Sequence, residues 1–579
     1  MAQPPRFNLA QTFQDAVALH QQGRLREAEK LYARVLKAAP DHFDALHLLG
    51  LVKAQGGQMG EAHRLMSGAL KCNPQMPDAW MNLANVLHAL KRDAEALDCL
   101  DKALALRPGD ANVLQSRGTA LLALDRPQEA IACFDEVLAR NPRHGEARLN
   151  RGSALAGLGR TAAALADFDA ALALIPGHPA ALYNRGNALA ALGRYDEALT
   201  AFDRALAAAP GHGNAWNNRG RALQALDRHA EAVASFDKAI ELQKDYADAH
   251  FNRALSLLTL GDLARGFEQY EWRWKRSGMR DTRRGYGKPL WLGEYPLARK
   301  TILLHAEQGL GDTIQFARYA PLLARAGATV VLEVQPELKN LLASLEGIAS
   351  CHARGDQLPA YDVHCPLGSL PLALKTEPAS IPADIPYLRA DQGRLAQWRA
   401  RIDDLQGKRV AIAWAGNANH ANDRNRSIDL KLLEPLLALE GVSFLSIQRE
   451  LRGDDAETLA RLSNVRHLGG EFADMADTAA IAALADLTIS VDTSVVHLAG
   501  ALGRPVWVML PFAPDWRWTP ARDPEMRDPV FGKDHAQTKE SGGSCPWYPQ
   551  ARLFRQPALG DWPGAIAALR TELARFAAA

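Results

Sequence analysis

Cysteine is scarce in this chain of 579 residues: six in all, Cys72, Cys99, Cys133, Cys351, Cys365 and Cys545, with no Cys-x-x-Cys pair among them. That scatter excludes a disulfide-stapled scaffold and argues against a structural zinc site, so no metal and no cofactor is expected. Long apolar runs are missing too. Nothing approaches the roughly 18 apolar residues of a membrane span. The N-terminus, MAQPPRFNLAQTFQDAVALH, lacks a charged-then-apolar leader pattern. Neither sign of charge dominates: 67 Lys and Arg against 66 Asp and Glu leave a net charge of +1, which argues against a dedicated nucleic-acid binder. What is present is ordinary globular composition, 47% hydrophobic and 23% charged. The expectation is a cytoplasmic protein of three or four domains at about 150 residues each.

The first half repeats itself. Prolines fall at Pro40, Pro74, Pro108, Pro142, Pro176 and Pro210, each step being 34 residues. A small residue recurs at Gly50, Ala84, Gly118, Gly152, Gly186, Gly220 and Ala254, and an alanine at Ala28, Ala62, Ala96, Ala130, Ala164, Ala198 and Ala232. This is the period and pattern of tetratricopeptide repeats. Each unit is a pair of antiparallel helices that touch at the small residues and end at the proline. A single pair cannot bury its apolar face, so pairs stack into a solenoid. Seven units run from about Leu9 to Lys244, and an eighth, with Gly266 in place of the alanine, ends in the aromatic segment GFEQYEWRW. That segment reads as a cap and as the joint to the second half.

One position of the first helix carries Asn82, Asn150, Asn184, Asn218 and Asn252, interrupted by Ser116. An asparagine amide donates and accepts, so a ladder of them can hold an extended peptide by its backbone. O-GlcNAc transferase has such a ladder, and the resemblance implies a protein acceptor. The alternative is local hydrogen bonding within the repeats. Asp101, Asp135, Asp169, Asp203 and Asp237 recur as solvated or intra-repeat polar positions. Arg117, Arg151, Arg185, Arg219 and Arg253 form either a positive stripe or partners for those aspartates.

From about Lys300 short apolar runs alternate with helical stretches. Strands are predicted at 301–305, 329–334, 409–414, 442–447, 486–491 and 505–510, as unbroken runs of a parallel sheet buried on both faces. The polar helical stretch 391–408 separates two such units, and the final helix, 562–576, is expected to cross back and brace the first of them. The fold class is therefore an α-solenoid followed by two Rossmann-like α/β domains, similar to a GT-B glycosyltransferase. Its divisions are a tail over 1–8, repeats over 9–276, a linker over 277–298, a first Rossmann-like half over 299–395 and a second over 396–579.

Four motifs fall at strand ends, where ligands of such sheets bind. In the first, His305-Ala-Glu-Gln-Gly-Leu-Gly-Asp312, glycines permit close approach and a helix N-terminus attracts an anion. Gly309-Leu-Gly311-Asp312 resembles the start of the lipopolysaccharide heptosyltransferases. The resemblance makes Asp312 the catalytic base, able to take the acceptor's proton, with Gly309 and Gly311 near the donor. His305 and Glu307 are rival bases on the same loop. The second motif, 413–427, holds Asn417, Arg424, Arg426 and Ser427. Its arginines suit a diphosphate, although the heptosyltransferases carry a lysine in the matching region. The third contributes Gln448 as a reader of base or ribose. The fourth, Asp492-Thr493-Ser494-Val-Val-His497-Leu-Ala, resembles the heptosyltransferase pattern Asp-Thr-Gly-x-x-His-Leu-Ala, with Ser494 replacing the glycine. The resemblance makes Asp492, Thr493, Ser494 and His497 donor-binding.

Proteins of this look usually pass from Pro514–Trp518 almost directly to Pro546–Pro549; here a polar stretch, 523–543, intervenes and reads as an exposed loop. Trp516, Trp518, Trp547 and Tyr548 are either stacking surfaces or packing. The combined layout resembles bacterial tetratricopeptide glycosyltransferases. It implies an inverting, metal-independent transfer of sugar from a nucleotide-sugar to a protein on the repeats, with flagellin a candidate acceptor. The alternatives are an interaction scaffold on a degenerate transferase fold, and a transferase acting on a glycan or lipid.

Overall fold

The computed structural model describes residues 8–280, 284–420, 422–519 and 545–579, so the 523–543 stretch lies outside the described residues. The chain divides into two compact units, one ending at Gly211 and the other spanning His212–Ala579.

Among the described residues the first unit holds six helix pairs, from Leu9–Gln21 with Leu25–Ala38 through Pro179–Ala191 with Tyr195–Ala208. Local chemistry recurs at the same period. Each hairpin turn passes through one left-handed residue, at Gly23, Gly57, Lys91, Asp125, Gly159 and Gly193. The first helices are N-capped by Asn8, His42, Asp110, His144 and His178, whose side chains accept an amide N–H of the opening turn. The small residue of the first helix faces the residue sixteen further on. A Cβ at Gly118, Gly152 or Gly186 would lie 2.5 to 2.7 Å from the ring of Phe134, Phe168 or Phe202. The recurring arginines pair with aspartates of the preceding helix: Arg117 with Asp101 at 2.8 Å, Arg151 with Asp135 at 2.6 Å and Arg185 with Asp169 at 2.6 Å. They tie neighbouring repeats together rather than forming a free positive stripe. Each such exposed pair contributes up to about 1 kcal/mol.

The second unit begins with two more pairs, Gly213–Ala225 with His229–Leu242 and Ala247–Thr259 with the shortened Leu263–Tyr270. The last pair shares its core with the sheets. Leu258, Leu263, Phe267 and Tyr270 pack in one cluster with Ile302, Leu304 and Trp516, and Phe267 meets Trp516 edge-on at 5.7 Å. The reading of 9–276 as one separate domain is thus modified. The aromatic segment that looked like a joint buries itself in the α/β core and draws the final repeats into that unit.

Two parallel sheets follow. The first comprises β1 (Thr301–His305), β2 (Thr329–Val334), β3 (Ile348–Ala353) and β4 (Val363–Pro366), in the order β3-β2-β1-β4. The second comprises β5 (Lys408–Ala413), β6 (Val442–Ser446), β7 (Val465–His467), β8 (Leu487–Val491), β9 (Val506–Leu510) and β10 (Ala551–Arg555), in the order β10-β9-β8-β5-β6-β7. The six predicted strands are the inner ones. The four that were not predicted, β3, β4, β7 and β10, are the sheet edges among the described residues. Edge strands are covered less completely and need fewer apolar residues, so their signal is weak. The final helix, Trp562–Ala578, does not brace the first half. Trp562, Ile566, Leu569 and Leu573 pack with Val410, Leu433 and Trp507 of the second sheet's own core.

Candidate functional site

The loop after β1 leads into the helix Leu310–Ala317. Asp312, in its first turn, accepts the Gly309 N–H on Oδ2 at 3.1 Å, and its Oδ1 is held by the guanidinium of Arg517. Both oxygens of the expected base are therefore engaged. Gly311 is a contact point between the halves: a Cβ there would lie 2.7 Å from the His497 ring and 3.4 Å from the Ser494 Cα. Ser494 opens the helix Ser494–Ala501 after β8. Two helix N-termini, one from each half, meet at this glycine, and both bring partial positive charge to the same place.

The loop after β5 adds cations. Arg426 donates from Nη1 to the Asp492 carbonyl at 3.0 Å, its side chain is only 14% exposed, and its Nε has no hydrogen-bond partner among the described residues. Gly416 leaves room for it, since a Cβ there would fall 2.7 Å from Nη2. Ser427 bonds within the loop, accepting from Gly416 N–H and donating to Asp423. Asn417 is exposed and caps the local turn through the Asn419 N–H, while Arg424 is exposed beside it. Gln448 is engaged by its own loop. Its Oε1 accepts from the Trp414 and Ala415 amides at 3.2 and 3.1 Å, and its Nε2 donates to the Glu450 carbonyl. A buried amide so satisfied shapes the β5 loop and has little left for a ligand.

His497 is engaged within the core. It is buried, hydrogen-bonded through Nδ1 to the Tyr548 hydroxyl at 3.2 Å, and burial beside Arg517 and Arg318 holds it well below the ordinary histidine range. A neutral core imidazole offers no charge to a diphosphate. Thr493 is the N-cap residue and bonds Ser490 at 3.1 Å, leaving Ser494 at the first helical position. Asp492 contributes its backbone carbonyl to Arg426. Its carboxyl is pushed up to about 6, first by burial and then by the neighbouring charge of Asp515. An ionised carboxylate here repels an anion, so Asp492 is no diphosphate ligand in that form.

A carboxyl whose folded value lies above its unfolded one is proton-rich when folded, so stability falls as pH rises between about 4 and 6. Asp492→Asn is expected to stabilise the protein at pH 7.5 by roughly 2 kcal/mol and much less at pH 4.5. Thermal unfolding at both values checks it, and equal effects would refute it.

Trp516, Trp518, Trp547 and Tyr548 are all buried and pack on one another, with Trp516 and Trp547 rings 5.6 Å apart. They form core, not a stacking platform. Two residues of the site escaped the sequence reading. Arg517 lies between two tryptophans and bonds Asp312, Asp515 and Gln315. For His420, burial and then the charge of Arg426 lower its proton affinity, and together they outweigh the opposing pull of Asp312, Asp423 and Asp515. A basic residue between two tryptophans in a loop was the available signal for Arg517; His420 had none beyond its motif.

The asparagines are largely used between repeats. Asn82 bonds His47 at 3.2 Å and Asn184 donates to Ser153 at 3.1 Å in the first unit. Asn252 donates to Asn217, which in turn donates to Asn218, in the second. Asn150 is half-buried, and its side chain makes no hydrogen bond among the described residues.

The repeats define the class of this part of the chain: residues 21–278 form a tetratricopeptide array. Tetratricopeptide-repeat families match 75–143 and, in overlapping stretches, 116–179, 157–213, 183–245 and 217–278; the anaphase-promoting complex, cyclosome, subunit 3 family matches 21–103. Among particular proteins, the chain is similar to Protein FlbA of Caulobacter vibrioides, at 27% identity over 350 residues, 56% of this chain and 54% of FlbA. The chain thus spans about half the length of that relative. Solved structures it resembles include a tetratricopeptide repeat protein from Parabacteroides merdae, at 19% identity over 43% of this chain and 98% of that one, with TM-score 0.37. Another is YrrB, described as a TPR protein with an unusual peptide-binding site, at 28% identity over 32% of this chain and 95% of that one, with TM-score 0.27. No helix among the described residues is long and apolar enough to cross a membrane.

Proposed function

We propose that the chain is a glycosyltransferase that moves a sugar from a nucleotide-activated donor to a protein docked by its repeats. The observation that carries this reading is the meeting of two helix N-termini at Gly311 and Ser494, with Arg426 alongside. Fixed dipoles and a half-buried guanidinium supply the positive field that a departing nucleotide phosphate requires, with no metal called upon. The repeats supply the extended surface on which such arrays take partners. Flagellin is a candidate acceptor. A non-catalytic interaction scaffold is the second reading, favoured by the occupied carboxylate of Asp312.

Calorimetry with GDP-, UDP-, ADP- and CMP-sugars, with and without EDTA, separates them. The expected result is selective, EDTA-insensitive binding that weakens roughly 10- to 100-fold in Arg426→Ala, the loss of a charge-assisted hydrogen bond. A well-folded protein that binds none of them is a scaffold.

A further inference from the structure

Beside the loop after β1 lies a pocket of about 320 Å³, lined by Trp274, Tyr286, His305, Glu307, Arg354 and His364 among others. Of its lining residues only Glu307 carries a carboxylate. That carboxylate is asymmetrically held. Its Oε1 accepts from the buried Arg273 guanidinium and from the Gly368 N–H, both at 3.1 Å, whereas Oε2 makes no hydrogen bond among the described residues. The seat is shaped for it, since a Cβ at Gly368 would lie 2.6 Å from Oε1. Its walls combine two guanidinium groups, Arg284 and Arg354, with flat rings. His305 and His364 bond each other at 3.1 Å, and Tyr286 stacks on His305 at 4.1 Å. Burial keeps His305 neutral, pushed down to about 2. The pocket also continues from the repeats of its own unit, because Trp274 and Arg273 belong to the turn that ends the last repeat.

We propose that this pocket receives the hydroxyl-bearing side chain of the protein acceptor, a serine or threonine, and that Glu307 is its general base. The assignment rests on the transferase reading above. Oε2 takes the hydroxyl proton while the acceptor oxygen bonds the anomeric carbon. The bond from that carbon to the donor's phosphate oxygen breaks, and its electron pair leaves with the nucleotide. Asp312, with both oxygens engaged, instead orients Arg517. Burial, opposed by Arg273, pushes Glu307 up to about 7, a value suited to proton exchange at neutral pH.

The test uses the full chain and measures nucleotide release from the sugar donors that bind in the calorimetric panel, with water standing in for the acceptor. Glu307→Gln keeps the acceptor atom for Arg273, and is expected to slow release at least about 100-fold while donor affinity stays within twofold. Glu307→Asp is expected to recover part of the rate. A Gln variant within threefold of wild type overturns the assignment alone. So does parallel loss of donor affinity and release, which would make Glu307 a structural residue. Wild type that binds donors yet releases nothing overturns the transferase reading, and this assignment with it.

Discussion

Replacing Arg517 by methionine is expected to lower stability by about 3 kcal/mol, among the larger effects of any single substitution in the second unit. Arg517 is 9% exposed at its side chain and holds Asp515 at 2.8 Å and Asp312 on its other arm. Its remaining N–H bonds Gln315, whose own Nε2 has no partner among the described residues. Methionine fills similar volume but leaves Asp312 and Asp515 without the guanidinium that holds them, and removes one of the cations beside Asp492. Removing one member of a buried ion pair costs the desolvation of what remains, which is why the expected loss exceeds that of a surface pair several-fold. Arg517→Lys restores charge without the fork and should recover less than half. Urea unfolding of both variants checks this. A methionine variant within about 1 kcal/mol of wild type would show that water already screens the cluster.

The second large effect lies in the repeats. Gly186→Val is expected to cost about 3 kcal/mol locally, because even its Cβ would fall 2.5 Å from the Phe202 ring. Both residues are interior to one helix pair, and Phe202 is fully buried. Alanine at the same position should cost less, since it recovers up to about 1 kcal/mol of helix propensity against the same clash. Shrinking the partner, Phe202→Leu, should relieve much of the valine penalty, giving a coupling well above additivity. Because stacked repeats open in local units, the measurement is amide exchange over residues 179–208. A loss of 3 kcal/mol appears there as a roughly 100-fold fall in protection. Unchanged protection in Gly186→Val would refute the packing argument.

The repeats were almost wholly legible because their contacts are local. Gly186 and Phe202 are sixteen residues apart, as are Asp169 and Arg185, and the asparagine contacts reach only about one period further along the chain. The inner strands were legible for a related reason: burial on both faces demands unbroken apolar runs such as TILLH and LTISV. Edge strands such as Val465–His467 face no such demand.

The site was legible only as motifs. Sequence by itself determined that a glycine–aspartate loop opens one helix, that a Ser494 turn opens another, and that arginines follow β5. It could not say which side chains the fold would consume. Gln448 looked like a reader of ligands and became a clamp on its own loop. His497 looked like a ligand and became core, and Asp312 was met by an arginine 205 residues away. Those outcomes belong to tertiary structure, because a polar side chain's availability depends on whether a distant donor or acceptor reaches it first, and in a buried setting an unpaired group costs too much to stay free. Glu307 was only one of three acids and bases on its loop in the sequence. Arg273 and Gly368, brought to it from two other segments, distinguish its two oxygens.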